Sequence, residues 1–327
     1  MFFPEIVSMH FQLTGRCNLK CIFCGQQNGM FSARDREEEL PFEKWISLAE
    51  EIRRSGARPE IILWGGEPLL HPRFDELAER LHCMEFPLGI VTNGTLADRH
   101  AAILNDRFRT IYISLDGNAE YHNRIRGKGV FEKVSANLAL LNKRRGHLVF
   151  LCTLADENVS AAPEIAETLA RFRPDKIIFQ RLMYFSAQEI ADYRHWLKTT
   201  FQTDDPSIEV WRRDDDSEYR MRLEAAVTAL RRRMDAGAYP CAIEISRHLA
   251  EGEPCLAPFR RVHIKYNGDL LFCTDFYGFS AGNVKRNTIR EIFYGPRAAL
   301  FRREIEASRN PLCRHCSWRS NRLFRLD

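Results

Sequence analysis

The chain has 327 residues and a mass of 38.1 kDa, enough for one large domain or for a large and a small one. An apolar share of 45%, a charged share of 28% and a formal charge of +4 describe an ordinary globular protein, with no excess of charge pointing to nucleic acid. No run of about 18 apolar residues is present to span a bilayer, and the start, MFFPEIVSMHFQL, lacks a basic n-region and a cleavage site, so a cytoplasmic location is expected. Six apolar, β-branched runs read as strands: 6–14, 60–64, 87–92, 110–115, 147–154 and 176–180. Helical patterns alternate with them near 41–55, 72–82, 97–105, 130–144, 161–172 and 187–201. Each parallel crossover needs a helix to return the chain, so six consecutive units imply a parallel sheet. Six units are fewer than the eight of a closed barrel, so the expected fold is α/β, a partial (β/α)6 TIM-like barrel over residues 1–205.

Residues 203–220, TDDPSIEVWRRDDDSEYR, read as a solvated charge run. They open a helical linker, 206–239, whose helix is expected at about 219–236 and ends at Gly237. From residue 240 to the end the texture is that of a small α+β domain. It holds a hairpin, RRVHIKY and DLLFC joined by Asn267-Gly268, a helix near 288–306, and the pair Cys313 and Cys316.

Ten cysteines without an export signal suit metal binding or thiol chemistry better than disulfides. Cys17, Cys21 and Cys24, in CNLKCIFC, follow the first strand directly, where a β/α barrel places its reactive loops. Three thiolates leave one iron of a 4Fe–4S cube open, whereas structural zinc wants a closed set of four ligands. A zinc site with a distant fourth ligand and a reactive thiol group are the alternatives.

CNLKCIFC resembles the C-x3-C-x2-C signature of the radical S-adenosylmethionine (SAM) enzymes, including the aromatic Phe23 before the last cysteine. The resemblance implies that the open iron chelates the amino and carboxylate groups of SAM. One electron from the reduced cluster then breaks the C5′–S bond, and the 5′-deoxyadenosyl radical takes a hydrogen atom from substrate. WGGEPLLHP (64–72) is similar to the family's GGEP motif, which implies that Gly65, Gly66 and Glu67 hold the SAM amino group. VTNG (91–94) and ISLDG (113–117) also end strands, and by the same resemblance Asn93, Ser114 and Asp116 approach the ribose or carboxylate of SAM. The stretch 114–134 looks like the S-x-D-G…H-N-x-x-R-G pattern of the subgroup with an auxiliary cluster domain. There Arg126 would meet a carboxylate of SAM or substrate.

Cys255, Cys273, Cys313 and Cys316 fit zinc or iron–sulfur equally on their own. C-x12-G-x4-C resembles the opening of the SPASM domain. No thiol follows Cys316, so the shortened Twitch form with one auxiliary 4Fe–4S cluster is implied. Four thiolates saturate such a cluster, which would then relay an electron. The expected activity is oxidation, dehydrogenation or maturation of a small molecule or peptide, with a flavodoxin- or ferredoxin-type electron donor. Only about five residues precede the first strand, which favours a substrate recognised without a leader-binding domain.

Two other readings compete with this one. In a redox-neutral epimerase Cys241 would return a hydrogen atom, although it reads more simply as a core residue, as do Cys83 and Cys152. In a zinc-stabilised module the runs RRRM (231–234) and RSNRLFR would bind nucleic acid or protein; these read more simply as solvated faces, and neither a membrane nor a nucleic-acid partner is expected.

Overall fold

The computed structural model describes residues 6–25, 39–246, 255–273 and 276–316; the arginine-rich tail considered above lies outside them. The six anticipated strands are β1 (Ser8–Thr14), β2 (Glu60–Gly65), β3 (Leu88–Thr92), β4 (Thr110–Ser114), β5 (His147–Leu154) and β6 (Lys176–Arg181). Their crossovers carry α1 (Phe42–Arg54), α2 (Phe74–Cys83), α3 (Ala97–Arg107), α4 (Ala119–Arg126) with α5 (Val130–Leu140), and α6 (Ala162–Ala170). Helix α7 (Ala187–Phe201) follows β6 and opens with a capping box, Ser186 and Glu189 each satisfying the other's backbone N–H.

The parallel sheet is wider than six strands. β7 (Ala242–Ile245) pairs parallel with β6, and β8 (Arg261–Ile264) pairs parallel with β1 in the register Ser8↔Arg261 to Phe11↔Ile264. β9 (Asp269–Leu271) and β10 (Gly282–Asn283) then add antiparallel to the β8 edge. Among the described residues the order is β10-β9-β8-β1-β2-β3-β4-β5-β6-β7, which begins and ends on different strands and so is open. This is the large parallel sheet of a partial barrel. It also runs without a break into the segment expected as a separate small domain.

Most charged side chains of residues 203–220 are exposed, but the stretch also carries regular structure. Pro206–Trp211 forms a 3-10 helix with Ile208 fully buried. Helix α8 (Ser217–Asp235) lays Leu223, Ala226, Val227 and Leu230 against the barrel, packing on α6. The helix expected over 288–306 is two, α10 (Ile289–Phe293) and α11 (Pro296–Glu306), after the short α9 (Ala257–Arg260). Gly295 and Pro296 break it, because proline starts a helix well but cannot sit inside one.

Side chains alternate across a strand. Met9, Phe11 and Leu13 of β1 join the main core under the helices. By the same alternation Ser8, His10, Gln12 and Thr14, all buried, face the concave side. Tyr112, Val149, Leu151 and Ile178 form a second apolar cluster there, with Val91 against it. The concave face is therefore apolar across β3 to β6 and polar along β1.

Candidate active site

Because the strands are parallel, their C-terminal ends share one rim, and the sequence motifs collect there. Cys17, Cys21 and Cys24 leave β1 as three thiols outside any disulfide, Cys21 buried and the other two half-buried. A turn from Cys24 N–H to the Cys21 carbonyl (3.1 Å) and a bond from Ile22 N–H to the Ile125 carbonyl (3.1 Å) hold the loop. Burial pushes the Cys17 thiol up to about 11, with Glu67, Cys21 and Cys24 adding to the rise. It raises Cys21 too, opposed by Arg126.

The glycine pair is a packing device. Gly66 N–H donates to the Thr14 carbonyl and Glu67 N–H to the Arg16 carbonyl, both at 2.8 Å. A Cβ on Gly66 would lie 2.2 Å from the Arg16 carbonyl oxygen, so only glycine lets β2 approach the start of the cysteine loop. Gly65 has φ +147, and a Cβ there would lie 2.5 Å from the Thr14 oxygen.

Glu67 is fully buried. Its Oε1 accepts from Thr92 Oγ1 (2.6 Å) and Leu69 N (3.2 Å), and its Oε2 from Asn93 N (2.8 Å). Burial lifts its pKa to about 7 against those hydrogen bonds. A carboxylate has about four lone-pair sites, so one acceptor position on Oε2 is left. Asn93 Nδ2 donates to Asn18 Oδ1 at 3.0 Å and lies 3.9 Å from Cys17 Sγ, while its Oδ1 accepts from Thr95. Asn18 Nδ2 in turn donates to Thr95 Oγ1 (2.8 Å), so the ends of β1 and β3 are laced together.

At the end of β4, half-buried Ser114 is followed by a buried ion pair. Arg126 Nε donates to Asp116 Oδ2 at 2.5 Å, with 9% and 0% of the two side chains exposed. Arg126 also reaches Cys21, its Nη1 3.7 Å from the sulfur. Asp116 accepts from Thr153 N (2.9 Å), and its own N–H donates to His122 Nδ1 (3.1 Å). That bond requires Nδ1 to be unprotonated, and burial holds the His122 pKa down to about 4. Arg126, expected to meet a carboxylate of SAM or substrate, is thus already engaged by a carboxylate of the chain.

A second site lies across β1. Cys255, Cys273, Cys313 and Cys316 line one largely apolar cavity together with His10, Arg261 and His263. The Cys313–Cys316 turn is fastened to α7, since Arg314 and His315 both reach Glu189 Oε1 at 2.6 Å.

The structure does not bring Cys241 to either place. It immediately precedes β7, beside Asp175, on the rim where the parallel strands begin. A strand of six residues spans about 20 Å, so the thiol is far from Cys17–Cys24 and unsuited to hand a hydrogen atom to a substrate there. Cys152 is a core residue as anticipated, whereas Cys83 is exposed at the end of α2, its Sγ 3.7 Å from Glu79 Oε1. Sequence reasoning passed over His122, Thr95, Asn18, Arg261 and His263. Of these, Asn18 stands inside CNLKCIFC and His122 inside the stretch 114–134, and Arg261 and His263 were visible as alternate polar positions of a strand.

Residues 11–169 match the radical SAM superfamily, and residues 255–317 match SPASM, an iron–sulfur cluster-binding domain. Over 177 residues, 53% of this chain, the sequence is 32% identical to Fe-coproporphyrin III synthase of Methanosarcina barkeri. Over 182 residues, again 53%, it is 34% identical to pre-heme d1 synthase of Dinoroseobacter shibae. The matches span 43% and 42% of those relatives, less than half their length. The fold is similar to that of SuiB from Streptococcus suis, seen with S-adenosylmethionine, with a TM-score of 0.67, 16% identity, and coverage of 92% of this chain and 68% of that one. It is similar also to anSMEcpe, with a TM-score of 0.62, 17% identity, and coverage of 93% and 83%. Among the described residues no helix is long and apolar enough to cross a membrane. A three-cysteine loop at the mouth of an open parallel barrel, and four cysteines around a second cavity, accord with both domain matches: the chain belongs to the radical SAM superfamily, whose domain binds a 4Fe–4S cluster and SAM, and carries a SPASM domain, which binds auxiliary iron–sulfur clusters.

Proposed function

We propose that this radical SAM enzyme takes a hydrogen atom from a small molecule or a peptide and passes one electron of the resulting radical to a single auxiliary 4Fe–4S cluster. The product would be dehydrogenated or oxidatively matured. We assign Cys17, Cys21 and Cys24 to the SAM-binding cluster and Cys255, Cys273, Cys313 and Cys316 to the auxiliary one. Both donor sets suit such groups. Three soft thiolates leave one iron for the chelating end of SAM, and four saturate a second cube. The observation that carries the reading is that four cysteines from three separate segments line one cavity.

When bound, the cluster and SAM together supply a 5′-deoxyadenosyl radical. The residues of the chain position and shield. We assign the carbonyls of Gly65 and Gly66 and the remaining Oε2 lone pair of Glu67 to the ammonium of SAM, and Asn93 and Ser114 to its ribose or carboxylate. Asp116 and Arg126 we assign to holding the loop around Cys21, since each already engages the other. Epimerisation through Cys241 is not retained, given its place on the far rim.

Two relatives are named for haem-type products, while SuiB is also seen bound to its precursor peptide SuiA. Those names support both a small-molecule and a peptide substrate. A flavodoxin- or ferredoxin-type protein is the proposed reductant. The test is anaerobic reconstitution followed by iron and sulfide analysis and incubation with SAM and a low-potential reductant. About eight irons per chain and formation of 5′-deoxyadenosine are expected; one or two zinc ions with no SAM cleavage would refute the proposal.

A further inference from the structure

The strand β8 carries more than a place in the sheet. Alternation puts Arg261 and His263 on its concave face, and both border the cavity of Cys255, Cys273, Cys313 and Cys316. His263 is 2% exposed, and among the described residues neither Nδ1 nor Nε2 has a hydrogen-bond partner. Its ring packs edge-on against Trp64 at 4.5 Å between centroids and lies 5.7 Å from His10. Trp64 directly precedes the Gly65-Gly66-Glu67 turn, so the imidazole stands in the wall between the mouth of the barrel and the cysteine cavity. Arg261 shares the wall of that cavity with Cys255 and Cys316.

A buried side chain with unpaired polar atoms needs an explanation, and a bound group is one of the few available. An imidazole offers at least one N–H in either protonation state, and the remaining wall of the cavity is mostly apolar. A cluster sulfur or a ligating thiolate is the acceptor the cavity would provide.

We propose that Arg261 and His263 set the potential of the auxiliary cluster, a guanidinium charge and an N–H donor together favouring its reduced form. This rests on the assignment of the four cysteines as its ligands. Reduction adds negative charge to a site already holding four thiolates, and burial in apolar surroundings opposes that. A neighbouring cation and a hydrogen bond to sulfur counter the opposition, and both are recognised determinants of cluster potential. The site is thereby biased toward accepting an electron. In the balanced step the substrate radical gives one electron to the oxidised cluster and one proton to water. It becomes a closed-shell oxidised product, and the cluster is reduced by one electron.

The test uses the full chain, anaerobically reconstituted, with Cys17, Cys21 and Cys24 changed to alanine so that only the auxiliary cluster reports. Redox titration followed by electron paramagnetic resonance gives the ratio of reduced to oxidised cluster at a fixed potential. Arg261→Met and His263→Phe are each expected to lower that ratio about tenfold, equivalent to 59 mV for one electron. His263→Gln, which keeps an N–H donor, is expected to recover most of it. Unchanged ratios in Arg261→Met and His263→Phe, at full cluster content, would overturn the tuning role and leave the ligand assignment standing. A parent protein with no auxiliary signal would overturn both. Should His263→Phe fail to hold iron, the ratios of Arg261→Met and His263→Gln against the parent decide.

Discussion

Arg126 and Asp116 form a buried ion pair, Nε to Oδ2 at 2.5 Å, that ties the end of β4 to the cysteine loop through the 3.7 Å approach of Arg126 to Cys21. Removing one partner of such a pair leaves an uncompensated buried charge, which costs about 3–5 kcal/mol. Asp116→Ala is therefore expected to destabilise the cluster-free protein by about that amount in denaturant titration. Asp116→Ala combined with Arg126→Met should cost clearly less than the two single changes added together. Additive losses would show that the pair is not coupled.

Gly66→Ala is expected to act on metal content before stability. Its Cβ would lie 2.2 Å from the Arg16 carbonyl oxygen and 3.1 Å from the Cys17 amide, so the clash falls on backbone leading into the first thiol. Reconstituted protein should lose about four irons, the content of one cube, while the iron bound through Cys255, Cys273, Cys313 and Cys316 remains. Full iron content would contradict this.

Acid should weaken the fold through His122. In the folded chain its pKa is held to about 4 by burial, while the ordinary value is 6.5. The unfolded chain therefore binds the extra proton between those limits. The contribution is fully present above pH 6.5 and is lost as pH falls from 6.5 toward 4, by up to about 1.4 kcal/mol per pH unit. Urea midpoints measured from pH 7.5 to 5 should fall accordingly, and in His122→Gln the slope should be reduced by one proton's worth.

Glu67 should make SAM binding pH-dependent in the opposite range. Burial raises its pKa to about 7, and the charged carboxylate accepts from an ammonium more strongly than the neutral acid does. Affinity measured by equilibrium dialysis should thus rise between pH 6 and 8. Glu67→Gln should weaken binding roughly tenfold, as expected for a lost charged hydrogen bond, and flatten the profile. A wild-type affinity indifferent to pH would remove Glu67 from the binding set.

Phe301→Ala should couple stability to the second metal site. Phe301 of α11 stacks on Phe279 at 4.3 Å and lies 5.7 Å from Phe272, the neighbour of Cys273. A buried phenylalanine truncated to alanine costs about 3–5 kcal/mol. Iron analysis should show the auxiliary content falling while the Cys17–Cys24 content holds.

What could be read from the sequence was whatever chemistry imposes locally. Cys17, Cys21 and Cys24 lie within one short loop, and the Gly65-Gly66-Glu67 turn directly follows a strand; both therefore leave compact signatures. Periodicity located the six barrel strands for the same reason. The pairing of β8 with β1 joins segments some 250 residues apart in the chain, and nothing in RRVHIKY tells a parallel partner from the antiparallel one it also has. Cys241 misled because a thiol beside a strand looks the same at either rim, and only strand direction separates them. Asp116 and Arg126 were each recognised, but the nine residues of turn and helix between them concealed that they meet.

The ladder from Ser8↔Arg261 to Phe11↔Ile264 has a mechanical corollary. The loop of Cys17, Cys21 and Cys24 and the hairpin flanked by Cys255 and Cys273 hang from neighbouring strands of one sheet, which cannot part unless backbone hydrogen bonds break. Any exchange between the two sets of thiols is then made across strands held in one fixed register.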